Sequence, residues 1–148
     1  MIEMRHAGIY VEDLPCMEAF YQNVFSMKVI LSKVRTSDIL IDAIVGAGKA
    51  VLISKLITPH GCETGSGDMV ELLQVENEAA PSDPGPVFQT GTAHLGFGVD
   101  DMERTVQGIR ENGGCQKTDI LQMGSNLCCF CTDPEGNWLE LIQRGSAE

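Results

Sequence analysis

A ten-residue pattern occurs twice in this chain, and duplication of a module restricts the possible folds more tightly than composition does. Met4-Arg5-His6-Ala7-Gly8-Ile9-Tyr10-Val11-Glu12-Asp13 aligns with Thr92-Ala93-His94-Leu95-Gly96-Phe97-Gly98-Val99-Asp100-Asp101. The shared order is His, apolar, Gly, apolar, small or aromatic, Val, acid, Asp. Each copy runs into a helical pattern. Leu14, Met17, Phe20, Tyr21 and Val24 recur at three- and four-residue spacing in the first, and Met102, Val106 and Ile109 do so in the second, with Gly113-Gly114 placed as a C-cap. Strand patterns follow at Lys28 to Arg35, Ala50 to Ile57 and Met69 to Val75. Their counterparts are Cys115 to Leu121, Leu127 to Cys131 and Asn137 to Gln143. Each copy reads βαβββ, so the fold class is α+β. Module 1 covers about 1–80 and module 2 about 90–145 of a single domain spanning 1–148. The stretch from Glu78 to Pro86, with three prolines, is the connector, and the boundary falls near residue 85.

The copies differ in length. His6 to Glu71 spans 65 positions and His94 to Glu140 spans 46. The surplus lies around Thr36 to Gly48 and Pro59 to Gly67. Ser37 to Val45 reads as a short helix with Ser37 as its N-cap, and Pro59-His60-Gly61 with Gly65-Ser66-Gly67 reads as turn or loop.

Strand parity then locates the chemistry, because side chains at i and i+2 share a face. Ala7, Ile9 and Val11 form an apolar face, and His6, Gly8 and Tyr10 point the other way. Leu95, Phe97 and Val99 are apolar in the second copy, and His94, Gly96 and Gly98 oppose them. The apolar face packs on the helix, so the other face carries a histidine beside glycines that leave room for a close approach. In the last strand of each module a glutamate sits between apolar neighbours: Glu71 between Val70 and Leu72, Glu140 between Leu139 and Leu141. A carboxylate in such a strand needs a partner, and a metal ion supplies one. Two imidazoles and two carboxylates suit Zn, Ni, Co, Fe or Mn. A six-coordinate ion held by His6, Glu71, His94 and Glu140 keeps two positions for two oxygens of a substrate, the arrangement that polarises a carbonyl beside a hydroxyl. Trp138 and Ile142 share the face of Glu140, which makes Trp138 a candidate cavity wall. His60, in a Pro-His-Gly loop, reads as a solvated residue.

Composition removes other classes. Net charge is −11 and the ten Lys and Arg residues are scattered, so the basic footprint of a nucleic-acid or anionic-membrane binder is missing. No apolar run reaches the roughly 18 residues that span a bilayer, and Met1 to His6 carries no signal-peptide core, so the cytoplasm is the expected compartment. Six cysteines (Cys16, Cys62, Cys115, Cys128, Cys129, Cys131) contain no CxxC pair. They read as reduced, buried thiols acting as small hydrophobes.

With these residues in place, the chain resembles the vicinal oxygen chelate superfamily across nearly its whole length. The strongest likeness is Thr132-Asp133-Pro134-Glu135-Gly136-Asn137-Trp138-Leu139-Glu140-Leu141-Ile142, similar to the family's closing turn and metal-bearing strand. The segment from His6 to Asp13, Asp101 and the Ala19-Phe20-Tyr21 helix resemble it too. The resemblance implies paired βαβββ modules forming a curled mixed sheet around a metal cavity. It implies one divalent ion, Ni, Zn or Co ahead of Fe or Mn, and a small-molecule substrate in a homodimer. Extradiol dioxygenases and fosfomycin-resistance enzymes of the family use a three-ligand set, whereas Glu71 here fills a fourth position. That pattern is closest to glyoxalase I (lactoylglutathione lyase). It implies proton transfer on the hemithioacetal of methylglyoxal and glutathione or another thiol, with Glu140 as the main base and Glu71 as the base on the other face. A methylmalonyl-CoA epimerase-like reaction would use the same pair. An extradiol dioxygenase and a metal-free drug- or metabolite-binding protein are the remaining alternatives. The enlarged segments 36–48 and 59–67 would lie over or beside the cavity. Lys33 and Arg35 share a strand face and read as a solvated pair that could meet an anionic thiol.

Overall fold

The structure, a computed structural model, describes residues 2–78 and 85–145. The connector expected at Glu78 to Pro86 lies largely outside the described residues. The chain divides into two compact units, Met1–Ala80 and Pro81–Glu148, each with its own mixed sheet.

In the first unit, β1 (Ala7–Tyr10) leads into α1 (Leu14–Phe25), then β2 (Lys28–Thr36), α2 (Ile39–Val45), β3 (Val51–Ile57), α3 (Pro59–Thr64) and β4 (Met69–Val75). The sheet order is β1-β4-β3-β2, with β1 parallel to β4 and the other pairs antiparallel. The second unit runs β5 (His94–Gly98), α4 (Met102–Glu111), β6 (Cys115–Gln116), β7 (Leu121–Met123), β8 (Asn126–Thr132) and β9 (Trp138–Gln143). Its order is β5-β9-β8-β6, with β7 also pairing β8 and β5 parallel to β9. The expected α+β class and the repeated β-α-β pattern are both present. No helix among the described residues is long and apolar enough to cross a membrane.

One helix packs on one face of each sheet, and the alternation of apolar residues decides which face. Leu14, Met17, Phe20 and Tyr21 of α1 are buried with Val51, Leu56, Val70 and Leu72. Met102, Val106 and Ile109 of α4 are buried with Cys129, Cys131, Leu139 and Leu141. Burying each such side chain stabilises the fold by about 1.5–3 kcal/mol. Phe20 meets Tyr21 edge-on at 5.2 Å between ring centroids.

The helix starts are built alike. Asp13 caps α1 by accepting from the Cys16 N–H at 3.0 Å, and Asp101 caps α4 by accepting from Arg104 N–H at 3.0 Å. Gln74 Oε1 accepts from Leu14 N–H at 3.2 Å, and Gln143 Oε1 accepts from Met102 N–H at 2.6 Å. Helix α4 ends as the glycine pair suggests. Gly113, at φ +91°, donates to Arg110 O, and Gly114 donates to Ile109 O at 2.9 Å, a Schellman closure.

Four local expectations change. The N-cap of α2 is Asp38 rather than Ser37: its carboxylate accepts from both Leu40 and Ile41 N–H groups, at 2.9 and 3.0 Å. Residues 59–64, expected as loop, form α3, because Thr58 caps Gly61 N–H at 2.9 Å, Pro59 occupies the first turn and Gly65 closes the helix at φ +69°. The strand expected from Cys115 to Leu121 splits into β6 and β7. Lys117 and Thr118 N–H groups both reach Phe130 O, at 2.8 and 3.2 Å, so two residues oppose one and the ladder breaks. In β2, Ser32 and Lys33 together face the single residue Ser54, with Lys33 at φ +50°. The bulge ends simple parity there, so Lys33 and Arg35 do not act as a pair. Lys33 Nζ contacts Glu18 at 2.8 Å, and Arg35 forms a two-pronged bond to Glu76 at 2.7 and 3.0 Å.

The thiols also divide. Cys129 and Cys131 are buried as expected, with sulfurs 3.8 Å apart, and burial together with that neighbour pushes the Cys131 thiol up to about 12. Such a thiol is inert at neutral pH. Cys16, Cys62 and Cys115 are exposed, contrary to the expectation for the set.

Candidate metal centre

In the first unit the parallel register sets Gly8 beside Glu71, and in the second it sets Gly96 beside Glu140. Each histidine lies two residues before its glycine, His94 as the first residue of β5 and His6 immediately before β1, on the glutamate's side. His6 Nε2 stands 3.7 Å from Glu71 Oε1, and His94 Nε2 stands 3.2 Å from Glu140 Oε2. The structure therefore brings the four residues together as two His–Glu pairs, one in each unit. Among the described residues, no group of three or more His, Cys, Asp or Glu side chains gathers at one point.

The separations can be set against those that a shared ion would impose. A charge-assisted N–H···O bond closes to about 2.7–2.9 Å, shorter than either distance. Two donors each about 2.1 Å from one ion stand roughly 3 Å apart at neighbouring octahedral positions and roughly 3.4 Å apart at tetrahedral ones. The 3.2 Å pair lies within that range and the 3.7 Å pair just beyond it. Imidazole with carboxylate is also a donor set that divalent transition metals accept. The residues fit a metal.

Each His–Glu pair is held from behind. The bend after Thr132 rests on Asp133, which is 2% exposed; its carboxylate accepts from Glu135 and Asn137 N–H groups at 3.0 and 2.9 Å, and Gly136 turns at φ +86°. That turn fixes the start of β9 and the pairing of Phe130 with Glu140. In the first unit Gly67 packs against the backbone just before His6. A Cβ there would lie 2.1 Å from Met4 O and 3.2 Å from Arg5 O.

The surroundings of the two glutamates differ. Across the antiparallel pair from Glu71 stands Lys55, whose Nζ lies 2.8 Å from Glu71 Oε2. Across from Glu140 stands Phe130, whose ring meets His94 edge-on at 5.5 Å and Trp138 at 6.3 Å. The Glu71 side chain is 12% exposed and the Glu140 side chain 29%. Trp138 does share the glutamate's face, and its indole N–H donates to Gly85 O at 2.7 Å. Lys55 and Phe130 were not singled out in the sequence. Phe130 had a signal, since it alternates with Cys129 and Cys131 and therefore falls on the glutamate's side. His60 is exposed, as expected, but it is tied to Asp68 at 2.7 Å, and that bond holds the Asp68 carboxyl below its ordinary range.

Residues 3–141 match the family model of the glyoxalase/bleomycin resistance protein/dioxygenase superfamily. A probable lactoylglutathione lyase of Synechocystis sp. is 27% identical over 143 residues, covering 95% of both chains. A lactoylglutathione lyase of Salmonella typhimurium is 28% identical over 150 residues, covering 99% of this chain and 96% of that one. Among solved structures, a glyoxalase family protein from Bacillus cereus has the same fold, with a TM-score of 0.85, 20% identity, and 99% and 96% of the two chains covered. A family model that spans nearly the whole chain, over two βαβββ-like units that each carry a His–Glu pair, settles the relationship: the chain belongs to the glyoxalase/bleomycin resistance protein/dioxygenase superfamily.

Proposed function

We propose that the chain is a glyoxalase I-like isomerase, in which both modules act as one domain and His6, Glu71, His94 and Glu140 jointly hold one divalent ion, Ni, Zn or Co. The observation that carries this reading is the duplicated His–Glu pair, set by equivalent strand registers at 3.7 and 3.2 Å. The ligand set is completed within one chain or between the two chains of a homodimer, and either way its stoichiometry is one ion per chain. Relatives named as lactoylglutathione lyases, matched over nearly their whole length, support the hemithioacetal of methylglyoxal and glutathione, or of another thiol, as substrate.

A bound divalent ion would supply Lewis-acid stabilisation of the oxygen charge that develops on the substrate. The protein's own part is proton movement. Glu140 takes the proton from the carbon bearing the hydroxyl and returns it to the neighbouring carbon, while the hydroxyl proton passes to the neighbouring oxygen, so that carbonyl and hydroxyl exchange places. A positioned base of this kind contributes about 10²–10⁴ in rate. The glycines beside both glutamates, Gly8 and Gly96, leave space for substrate. A Cβ at Gly96 would sit 3.9 Å from Glu140 Oε2.

The test is metal analysis of the purified protein, followed by assay with methylglyoxal and glutathione after loading with Ni, Co or Zn. One ion per chain and formation of the thioester are expected, and His6→Ala and His94→Ala should each release the ion. Failure to hold stoichiometric metal under every loading condition rejects the reading. If Glu71→Ala leaves metal affinity and turnover untouched, the ligand set has three members and the four-ligand proposal is wrong.

A further inference from the structure

Two glutamates at equivalent positions can do proton chemistry in two ways. As a pair of bases on opposite faces they invert a carbon centre. As one base and one fixed ligand they move a proton between neighbouring atoms on one face. The proposed function makes Glu140 the base, but the four metal-binding residues alone do not say what keeps Glu71 from acting as a second one.

Lys55 separates them. It is the cross-strand neighbour of Glu71, and its ammonium lies 2.8 Å from Oε2 while His6 Nε2 lies 3.7 Å from Oε1. Oε2 of Glu71 is therefore held by an ammonium, on a side chain only 12% exposed, while Oε1 faces His6. The matching position in the second unit is Phe130, which offers Glu140 no hydrogen-bond donor or charge from its ring. Glu140 is also the more exposed of the two, at 29%. To take a substrate proton, Glu71 would have to give up a charge-assisted contact made by a side chain that is itself largely buried. Glu140, whose contact is with His94 Nε2 at 3.2 Å, has no ammonium to give up.

We infer that Lys55 is a positioning residue that pins Glu71 as a fixed carboxylate and leaves Glu140 as the one mobile base, so that the reaction is single-base isomerisation rather than inversion. This rests on the reading that both half-sites serve one ion and one substrate. The ammonium has a second effect. It offsets the charge of Glu71, so the net negative charge available to a cation resides on Glu140.

The test compares Lys55→Met, Lys55→Arg, Glu140→Gln and the double variant Lys55→Met/Glu140→Gln with the wild type. Ni(II) affinity is measured by chelator competition without substrate, and kcat and KM are measured separately with hemithioacetal at saturating Ni(II). Removing a positive charge beside the ion raises Ni(II) affinity about tenfold or more in Lys55→Met, and Lys55→Arg returns it to near the wild-type value. Glu140→Gln lowers kcat about a thousandfold with little change in KM. Freed of its ammonium, Glu71 then acts as a substitute base, so the double variant is about tenfold faster than Glu140→Gln alone, a gain that damage to the fold cannot produce. Either an unchanged Ni(II) affinity in Lys55→Met or a double variant no faster than Glu140→Gln overturns the inference. If Lys55→Met folds poorly, Lys55→Gln carries the same expectations. Wild-type protein that binds Ni(II) but leaves the hemithioacetal unchanged removes the proposed reaction, and the affinity arm alone then decides on Lys55. Wild-type protein that binds no Ni(II) overturns both.

Discussion

The two units solve the same folding problem with the same parts, yet they surround their glutamates differently. Both bury a helix on one sheet face, cap that helix with Asp and Gln, and set a glycine beside the glutamate on the other face. Around the glutamates, the residue across the antiparallel pair differs in kind, Lys55 in the first unit and Phe130 in the second. Duplication gives each unit the same His–Glu pair, and the two units diverge at the position across from the glutamate. The first unit also carries a charged network without a described counterpart. The buried Glu18 carboxylate accepts from Ser54 Oγ at 2.6 Å, from Ser32 Oγ at 3.0 Å and from Lys33 Nζ at 2.8 Å. That network is built on the β2 bulge, so the irregular strand has a structural use.

The sharpest way to test how alike the halves are is to cut the same core residue in each. Leu72→Ala and Leu141→Ala, both fully buried beside their glutamates, should each cost about 3 kcal/mol in urea unfolding. A large inequality would show that one unit is stabilised independently of the other. Next, the difference can be erased. Phe130→Lys places an ammonium across from Glu140, and kcat should fall about a hundredfold, equivalent to about 2.7 kcal/mol. Unchanged kcat would mean that the cross-strand residue has no hold on the base.

Smaller effects probe the supports. Gly67→Ala forces the backbone ahead of His6 to move, and about 1–3 kcal/mol of stability should be lost. Metal affinity should fall with it, since His6 moves as well, whereas the half-site in the second unit stays intact. Asp13→Ala and Asp101→Ala should each cost about 1 kcal/mol, equally if the two caps are equivalent. The smallest effect is one of pH. Burial raises the Glu18 carboxyl, but the hydrogen bonds from Lys33, Ser54 and Ser32 outweigh it and hold the value below the ordinary 4.5. A depressed carboxylate stabilises the fold above its unfolded value, and that stability disappears as pH falls through the folded one. The difference in melting temperature between wild type and Glu18→Gln should therefore be constant near neutrality and shrink below about pH 4.5. A difference that persists in acid would show that Glu18 contributes through packing rather than charge.

Much of this architecture is visible in the residues. The paired motifs and strand parity place His6, Glu71, His94 and Glu140 on one kind of face, because a period of two leaves no freedom once the apolar face is assigned. The buried positions of both amphipathic helices follow equally directly. What parity cannot show is the cross-strand neighbour. Lys55 comes opposite Glu71 only through a register set across the connection that contains α3, and Phe130 comes opposite Glu140 through the turn at Asp133. Short elements were also hidden, since α3 depends on Thr58, Pro59 and Gly65 acting together in a stretch that otherwise reads as loop. The glutamine clamps were legible and overlooked: Glu71-Leu72-Leu73-Gln74 and Glu140-Leu141-Ile142-Gln143 repeat the same spacing.

Those glutamines matter for how the chain avoids a particular error. A strand that slips by one residue turns its leucines to water and is rejected by the hydrophobic effect, but a slip of two keeps every apolar side chain on its proper face. Such a slip would replace Glu71 with Met69 or Leu73, and Glu140 with Trp138 or Ile142, at almost no cost in burial. Gln74 and Gln143 detect it. Each can reach the first N–H of its helix, Leu14 or Met102, only in the correct alignment. The clamp works as a proofreading device, because it leaves a helix end unsatisfied in any copy of the protein whose glutamate is out of place.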